Sequence, residues 1–276
     1  MAIFAHPDDE GAVAGTLAHY AQNDTDIILV CATKGEVGEI SDPALATTEN
    51  LGQVRQKELE EACRIIGIQR LEFLNYRDSG MDGTAENQDT HALIQADTDE
   101  LSVRLVALIR RFKPDIVITF EPYGWYGHPD HIFISKWVTA AFPLAGNPDA
   151  YPEAGPAWQP KRLFYSVMPF SKFKAMIEKG IEAGYLEGND FGDNIPQEQL
   201  LQTEAQITHI FDIGDFFEIR MASMMAHRTQ FGEDNFFRKI PKDLLRQAIG
   251  REHYIQVFPE PRPSLADHPA ADLFDY

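Results

Sequence analysis

Two stretches, Asp26 to Thr33 (DIILVCAT) and Asp115 to Phe120 (DIVITF), are apolar without alternation, and they constrain the fold more than any other feature. A strand with one wet face alternates apolar and polar residues, whereas an unbroken apolar run of this length is covered on both faces, as in a parallel sheet between helices. The surrounding segments supply the helices. Gly11 to Ala21 carries helical spacing, as do Leu51, Val54, Glu58, Ala62 and Ile65 up to a helix-ending Gly67, and Leu101, Leu105, Leu108, Ile109 and Phe112 before Pro114. Short strands are expected at Ile3 to Ala5 and Leu71 to Tyr76. With a further helical pattern through Ile132, Ile134, Trp137 and Val138, the order is strand then helix, four times over. Right-handed crossovers turn that order into an α/β, doubly wound, Rossmann-like and mostly parallel sheet with helices on both faces, whose ligand-binding residues gather at the strands' carboxyl ends.

The remaining segments extend the same domain, taken as residues 1–258. Strands are expected at Leu163 to Met168, Ile207 to Ile213 and Tyr254 to Phe258, and helices at Ser171 to Ala183 and Asp215 to His227. Pro143 to Pro160 and Gly188 to Pro196 read as irregular connections, Arg77 to Ala96 as a long loop on the rim of a site, and residues 259–276 as an extended, peripheral tail. The formal charge of -19 argues against nucleic acid and anionic membrane surfaces, which need clustered Lys and Arg. No apolar run approaches the roughly 20 residues that span a bilayer, and no secretory signal opens the chain, so a cytoplasmic protein is expected. Cys31 and Cys63 fall in apolar patterns and read as buried small hydrophobes. Oligomeric state is left open.

The chemistry is concentrated where a strand runs into His-Pro-Asp, which happens twice: His6-Pro7-Asp8-Asp9-Glu10 and Gly127-His128-Pro129-Asp130-His131. Proline is tolerated in a first helical turn, where its missing N–H costs nothing, so the acids of the first motif are expected in that turn. One carboxylate there is unremarkable beside a helix dipole. Two such motifs at two strand ends of one sheet are another matter. His6, Asp9 and His131 offer two imidazoles and a carboxylate, a ligand set for zinc or another divalent ion that leaves positions open for water and substrate. Asp8 then suits the general base, while His128 suits either an oxyanion donor or a proton donor to a leaving amine. Asp130 reads equally as the carboxylate orienting an imidazole and as a helix-start acid.

These motifs, Ala5-His-Pro-Asp-Asp-Glu10 and Gly127-His-Pro-Asp-His131, resemble those of the LmbE-like (PIG-L) metal-dependent de-N-acetylases, which include deacetylases of mycothiol and bacillithiol biosynthesis. Lys34-Gly-Glu36, Arg55 with Glu58-Leu59, Arg77-Asp-Ser-Gly-Met81 and His227-Arg-Thr-Gln230 extend the resemblance over roughly residues 1 to 230. The resemblance implies zinc on His6, Asp9 and His131, Asp8 as base, and His128 with Tyr126 at the oxyanion. It also implies sugar contacts from Glu36, Arg55 and Asp78, with His227 and Gln230 in support. The plain alternative for Arg55 is a surface ion pair with Glu49 or Glu58. Only Met1 to Ala5 precede the first ligand, a short strand for such a family, and residues 143–196 match none of its motifs.

The implied reaction is hydrolysis of the acetamide of an N-acetylglucosaminyl conjugate, a small-molecule partner. Iron(II) is compatible with the same ligands, which makes a non-haem iron oxygenase the rival enzyme class, but the helix-strand alternation departs from the all-β jelly rolls of such oxygenases. A nucleotide-binding module is disfavoured, because three carboxylates stand where its phosphate loop has glycines.

Overall fold

In the computed structural model, which describes residues 1–187, 196–265 and 269–274, the covered apolar runs lie at the centre of one sheet. β1 (Ala2–Phe4), β2 (Ile28–Cys31), β3 (Arg70–Phe73), β4 (Ile116–Phe120) and β5 (Arg162–Val167) are parallel, and β7 (Arg251–Phe258) lies antiparallel between β5 and the edge strand β6 (His209–Asp212). The order is β3-β2-β1-β4-β5-β7-β6. Every residue of β1, β2 and β4 is buried, which is why those strands carry no polar alternation. The chain runs outward from β1 to β3 and then returns to place β4 on the other side of β1, so the sheet reverses direction between β1 and β4.

Helices cover the sheet in two groups. α1 (Ala14–Gln22) and α2 (Leu51–Ile66) pack with one another, whereas α3 (Thr98–Phe112) belongs to a second group. After a short kinked turn, α4 (Gly124–Gly127), comes α5 (Pro129–Gly146), which packs on α3 and on β1 and β4. The ends follow their local chemistry. Asp97 caps α3 by accepting the N–H groups of Asp99 and Glu100, and α2 stops at Gly67, whose φ of 91° is open to glycine. Beyond the sheet centre, α6 (Phe170–Glu182), α7 (Gln197–Glu204), α8 (Phe217–Ala226), α9 (Phe236–Lys239) and α10 (Lys242–Ile249) follow. α8 lies on α1 and α2, and α6 on α10. Phe173, Met176, Phe217, Met221, Met224 and Ile249 belong to a second apolar cluster built by these later helices. Among the described residues no helix is long and apolar enough to cross a membrane.

Several expectations change. α5 runs through Pro143 to Gly146, so the irregular connection starts later than its proline suggests. Buried Arg110 explains the extension: its guanidinium donates to the carbonyls of Leu144, Ala145, Asn147, Ala150, Tyr151 and Gly155, satisfying the open end of α5 and folding the following loop around one cation. α7 and α10 fall in stretches where no helix was expected, and β7 starts at Arg251 rather than Tyr254. The end of the chain also returns to the body. Ala270 bonds Thr208 and Ile210, the Leu273 carbonyl accepts from Arg162, and Leu273 is buried. Of the loop expected at Gly188 to Pro196, residues 188–195 lie outside the described residues. Both cysteines are free and buried.

Replacing Arg110 by Lys, whose single ammonium cannot reach six carbonyls, is expected to lower unfolding stability by ~3 kcal/mol and to open residues 147–155 to proteolysis. An unchanged urea midpoint would contradict this role.

Candidate active site

The switch between β1 and β4 sets the two His-Pro-Asp stretches side by side at the sheet's carboxyl edge. The first does not enter an α-helix directly. Asp9–Ala12 form a 3-10 turn ahead of α1, and Asp8 is held at a φ of 114°, a strained value for a residue with a side chain. The tighter turn separates neighbouring acids: the carboxylate of Asp9 faces back and accepts the His6 N–H at 2.7 Å, while that of Asp8 meets Arg55 at 3.2 Å.

The second stretch is built by Glu121, a buried acid at the end of β4. Its carboxylate accepts the N–H groups of Tyr123 at 2.7 Å and Trp125 at 2.6 Å, forcing a kink in which Gly124 and Trp125 take φ of 69° and 62°. A Cβ on Gly124 would lie 2.5 Å from that of His131, so only glycine allows the approach. His128 then caps α5, its Nδ1 accepting the Asp130 N–H at 3.2 Å, with Pro129 opening the helix as expected.

These contacts fix three imidazole tautomers. His131 Nδ1 faces the Gly124 carbonyl at 3.2 Å, which can only accept, so its Nε2 lone pair is free. His6 Nε2 faces Asp130 at 3.1 Å and Asp78 at 3.5 Å, which frees Nδ1. His6 Nδ1 and His131 Nε2 lie 3.1 Å apart, and the Asp9 carboxylate is 3.6 Å from the first and 3.3 Å from the second. Three ligand atoms around one point, each on a side chain whose other polar atom is already engaged or turned away, fit a divalent cation. His128 lies close enough to join His6 and His131 in a ligand group, but its Nδ1 accepts an N–H, so Nε2 carries hydrogen and donates. Asp78 and Asp130 also group with His6, yet Asp130 is occupied by the Ser79 hydroxyl and N–H, and Asp78 by the Gly80 N–H.

Electrostatics follow the same division. Burial would raise Asp9, but His131 and His6 hold it down at about 2, a permanent anion. Burial would lower His6, but Asp78, Asp130 and Asp9 raise it well above the usual range, so without a cation it holds a proton that metal binding must displace. For Asp8 burial wins: opposed by Arg55 and reinforced by Asp9, it lifts the carboxyl to about 6, near the optimum for a base at neutral pH. Burial, His6 and His131 press His128 down to about 3, keeping it neutral. Tyr126 is exposed at the mouth, its ring 5.2 Å from that of His131 and 6.2 Å from that of His128.

The expected sugar-contact residues are gathered here with unequal access. Glu36 is half-buried and accepts the Asp78 N–H at 3.1 Å; Asp78 is buried against His6. Arg55 is no surface residue. It is buried, donating to the Pro7 carbonyl at 2.5 Å and the Gly35 carbonyl at 3.0 Å, and a Cβ on Gly35 would strike it at 2.1 Å. Glu58 instead holds Thr229. Asp130 sits in the first turn of α5 and orients an imidazole, but that imidazole is His6 rather than its neighbour His128.

Three contributors were missed. Glu10, read only as a helix-start acid, accepts the Asp8 N–H at 3.0 Å and the His227 Nε2 hydrogen at 2.7 Å, so it holds the Asp8 backbone from behind. Ser79, inside the Arg77-Asp-Ser-Gly-Met81 stretch but given no role there, acts through Asp130, and Glu121, with no local signal beyond preceding the second motif, acts through the Gly124 turn. His227 lies behind the first motif through Glu10, whereas Gln230 donates to the Glu39 carbonyl at 2.8 Å.

The family model for GlcNAc-PI de-N-acetylases (PIG-L) matches residues 1–142. A curated relative from Frankia alni, named 1D-myo-inositol 2-acetamido-2-deoxy-alpha-D-glucopyranoside deacetylase 1, is 34% identical over 99% of this chain and 98% of its own. The mycothiol S-conjugate amidase of Streptomyces coelicolor is 32% identical over 92% of this chain and 89% of its own. Among solved structures, the N,N'-diacetylchitobiose deacetylase of Pyrococcus horikoshii superposes with a TM-score of 0.65 at 20% identity, covering 98% of this chain and 85% of that one, a likeness of fold. With a match across half its length and relatives of this identity end to end, the chain belongs to the PIG-L (LmbE-like) family of de-N-acetylases.

Proposed function

We propose that this enzyme is a zinc-dependent deacetylase that hydrolyses the acetamide of an N-acetylglucosaminyl conjugate. The observation that carries this reading is the convergence of His6 Nδ1, the Asp9 carboxylate and His131 Nε2 beside a carboxyl at about 6 on Asp8. The names of the full-length relatives, which specify 2-acetamido-2-deoxy-glucopyranosides, support the substrate class. His6, Asp9 and His131 would hold zinc, with iron(II) an acceptable substitute for this donor set, and the ion would lower the pKa of water and polarise the acetamide carbonyl.

The chain's own residues do the rest. Asp8 takes a proton from the attacking water as its oxygen bonds the acetamide carbon. The His128 Nε2 hydrogen, fixed in place by the cap at Nδ1, meets the charge developing on the carbonyl oxygen, with the Tyr126 hydroxyl as its partner. The proton held by Asp8 then passes to the nitrogen as the C–N bond breaks, giving acetate and the free amine. Glu36, Arg55 and Asp78 line the sugar side, Arg55 by holding Asp8 as well as by its charge.

Acetate release from N-acetylglucosaminyl conjugates, followed without oxygen or 2-oxoglutarate, is expected to track bound metal; a strict need for both cosubstrates would overturn the hydrolase in favour of an oxygenase. Asp8→Ala should lower kcat by about 10²- to 10⁴-fold while metal content stays at the wild-type level, and full turnover in that variant would remove Asp8 as base. Asp130→Asn has a different signature. Losing the carboxylate behind His6 should weaken metal affinity by about 10- to 100-fold, read by competition with a chelator, and unaltered affinity would show that Asp130 does not orient the ligand.

A further inference from the structure

Asp8 and Trp125 have a second side. Both also line a cavity of about 140 Å³ whose other walls include Ala12, Phe173, Met224 and Ile249. Trp125 is buried, its ring 5.6 Å from that of His131, so this cavity shares a wall with the proposed metal site. It lies where the main core, which contains Trp125, meets the second apolar cluster of Phe173, Met224, Ala248 and Ile249.

The chemistry of the walls limits the occupant. Arg220 and Arg251 line the cavity too, but each faces an acid, Arg220 lying 3.6 Å from Glu252 and Arg251 3.4 Å from Asp212. Arg220 also donates to the Ile249 carbonyl at 2.7 Å, and Glu252 accepts the N–H groups of Gly15 and Thr16. Arg220 keeps a buried Nε–H without a partner among the described residues, but its charge is balanced by Glu252, and Asp8 also lines the cavity, so the walls offer no excess positive charge to an anion. A pyranose is too large and too polar: an engineered apolar cavity of about 150 Å³ takes up benzene, with six carbons, whereas a sugar ring with its hydroxyls has about twelve heavy atoms needing partners.

We propose that this cavity is an acyl-chain pocket, and that the enzyme hydrolyses N-acyl amino sugars with short unbranched chains of three to about six carbons as well as acetyl. The inference rests on the deacetylase reading and adds its acyl specificity. The chemistry is unchanged: water adds to the amide carbonyl, the C–N bond breaks, and the products are the amine and a short-chain carboxylate whose alkyl end has lain against Phe173, Met224 and Ile249.

The test is a chain-length series on the metal-loaded enzyme: N-acetyl-, N-propionyl-, N-butyryl- and N-hexanoylglucosamine, read by amine release. Each methylene buried is worth about fourfold in kcat/KM, so butyryl, with two more, should exceed acetyl by about fifteenfold. A drop of tenfold or more from acetyl to butyryl overturns the pocket while leaving the deacetylase intact. Ala248→Leu, which fills the cavity from α10, should erase the butyryl gain and keep acetyl within about twofold; Met224→Ala, which enlarges it, should move the optimum to longer chains. Should the butyryl preference pass unchanged through both variants, the chain lies elsewhere and the proposal falls. Binding of free acetate, butyrate and hexanoate, measured by calorimetry, separates the two readings: inactivity on every amide removes the deacylase, and affinity that fails to rise with chain length removes the pocket.

Discussion

The parallel pairing of β1 with β4 is the constraint on which everything else depends. Ala2 stands opposite Ile118, both strands are buried, and the rings of Phe4 and Phe120 meet at 4.9 Å across the pair. That contact is ordinary core packing, of the kind that contributes about 1.5–3 kcal/mol per buried side chain. Its consequence is larger than its energy. It places the carboxyl ends of two strands side by side at the point where the sheet reverses direction, and so brings together histidines that are 125 residues apart in the chain.

What stands at that point is costly. His6, Asp9, Asp78, Asp130, Glu10 and His227 are all buried, and removing each charge from water costs several kcal/mol before any partner is counted. The network is organised as supports behind working faces. Ser79 holds Asp130, which holds His6; His227 holds Glu10, which holds the backbone of Asp8, and Arg55 holds the Asp8 carboxylate. In each case the outer partner occupies one polar atom so that the other is left with a defined lone pair or hydrogen. A buried array of this kind, in a chain whose net charge is -19, is an arrangement for chemistry rather than for stability.

The later helices add a second wall to the same edge. α6, α8 and α10 enclose an apolar cluster that meets the main core beside Trp125, so Trp125 touches both the polar site and its apolar neighbour. The kink that Glu121 imposes on Gly124 and Trp125 therefore serves two purposes, bringing His131 to His6 and presenting an indole to the cavity.

Much of this was legible in the chain. The unbroken apolar strands specified a covered parallel sheet, the helical spacings gave α2 nearly to the residue and α1 and α3 with starts three residues away, and the repeated His-Pro-Asp singled out His6, Asp8, Asp9, His128 and His131. Periodicity failed where one distant side chain organises the backbone, as Arg110 does for the end of α5 and the loop beyond it. It failed again at the chain end, where burial of Leu273 depends on a surface made by other segments.

By itself, then, the sequence determined which residue types would stand at two strand ends, because strand burial and helix starts are local matters of pattern and dihedral preference. Partnership was decided only by the tertiary structure. That Asp130 serves His6 and not His128, that Arg55 lies beneath Asp8 and not on a surface, and which imidazole nitrogen is free all depend on atoms brought within 3.5 Å from remote parts of the chain. Hydrogen bonds are directional and short in range, so no spacing along the chain encodes them.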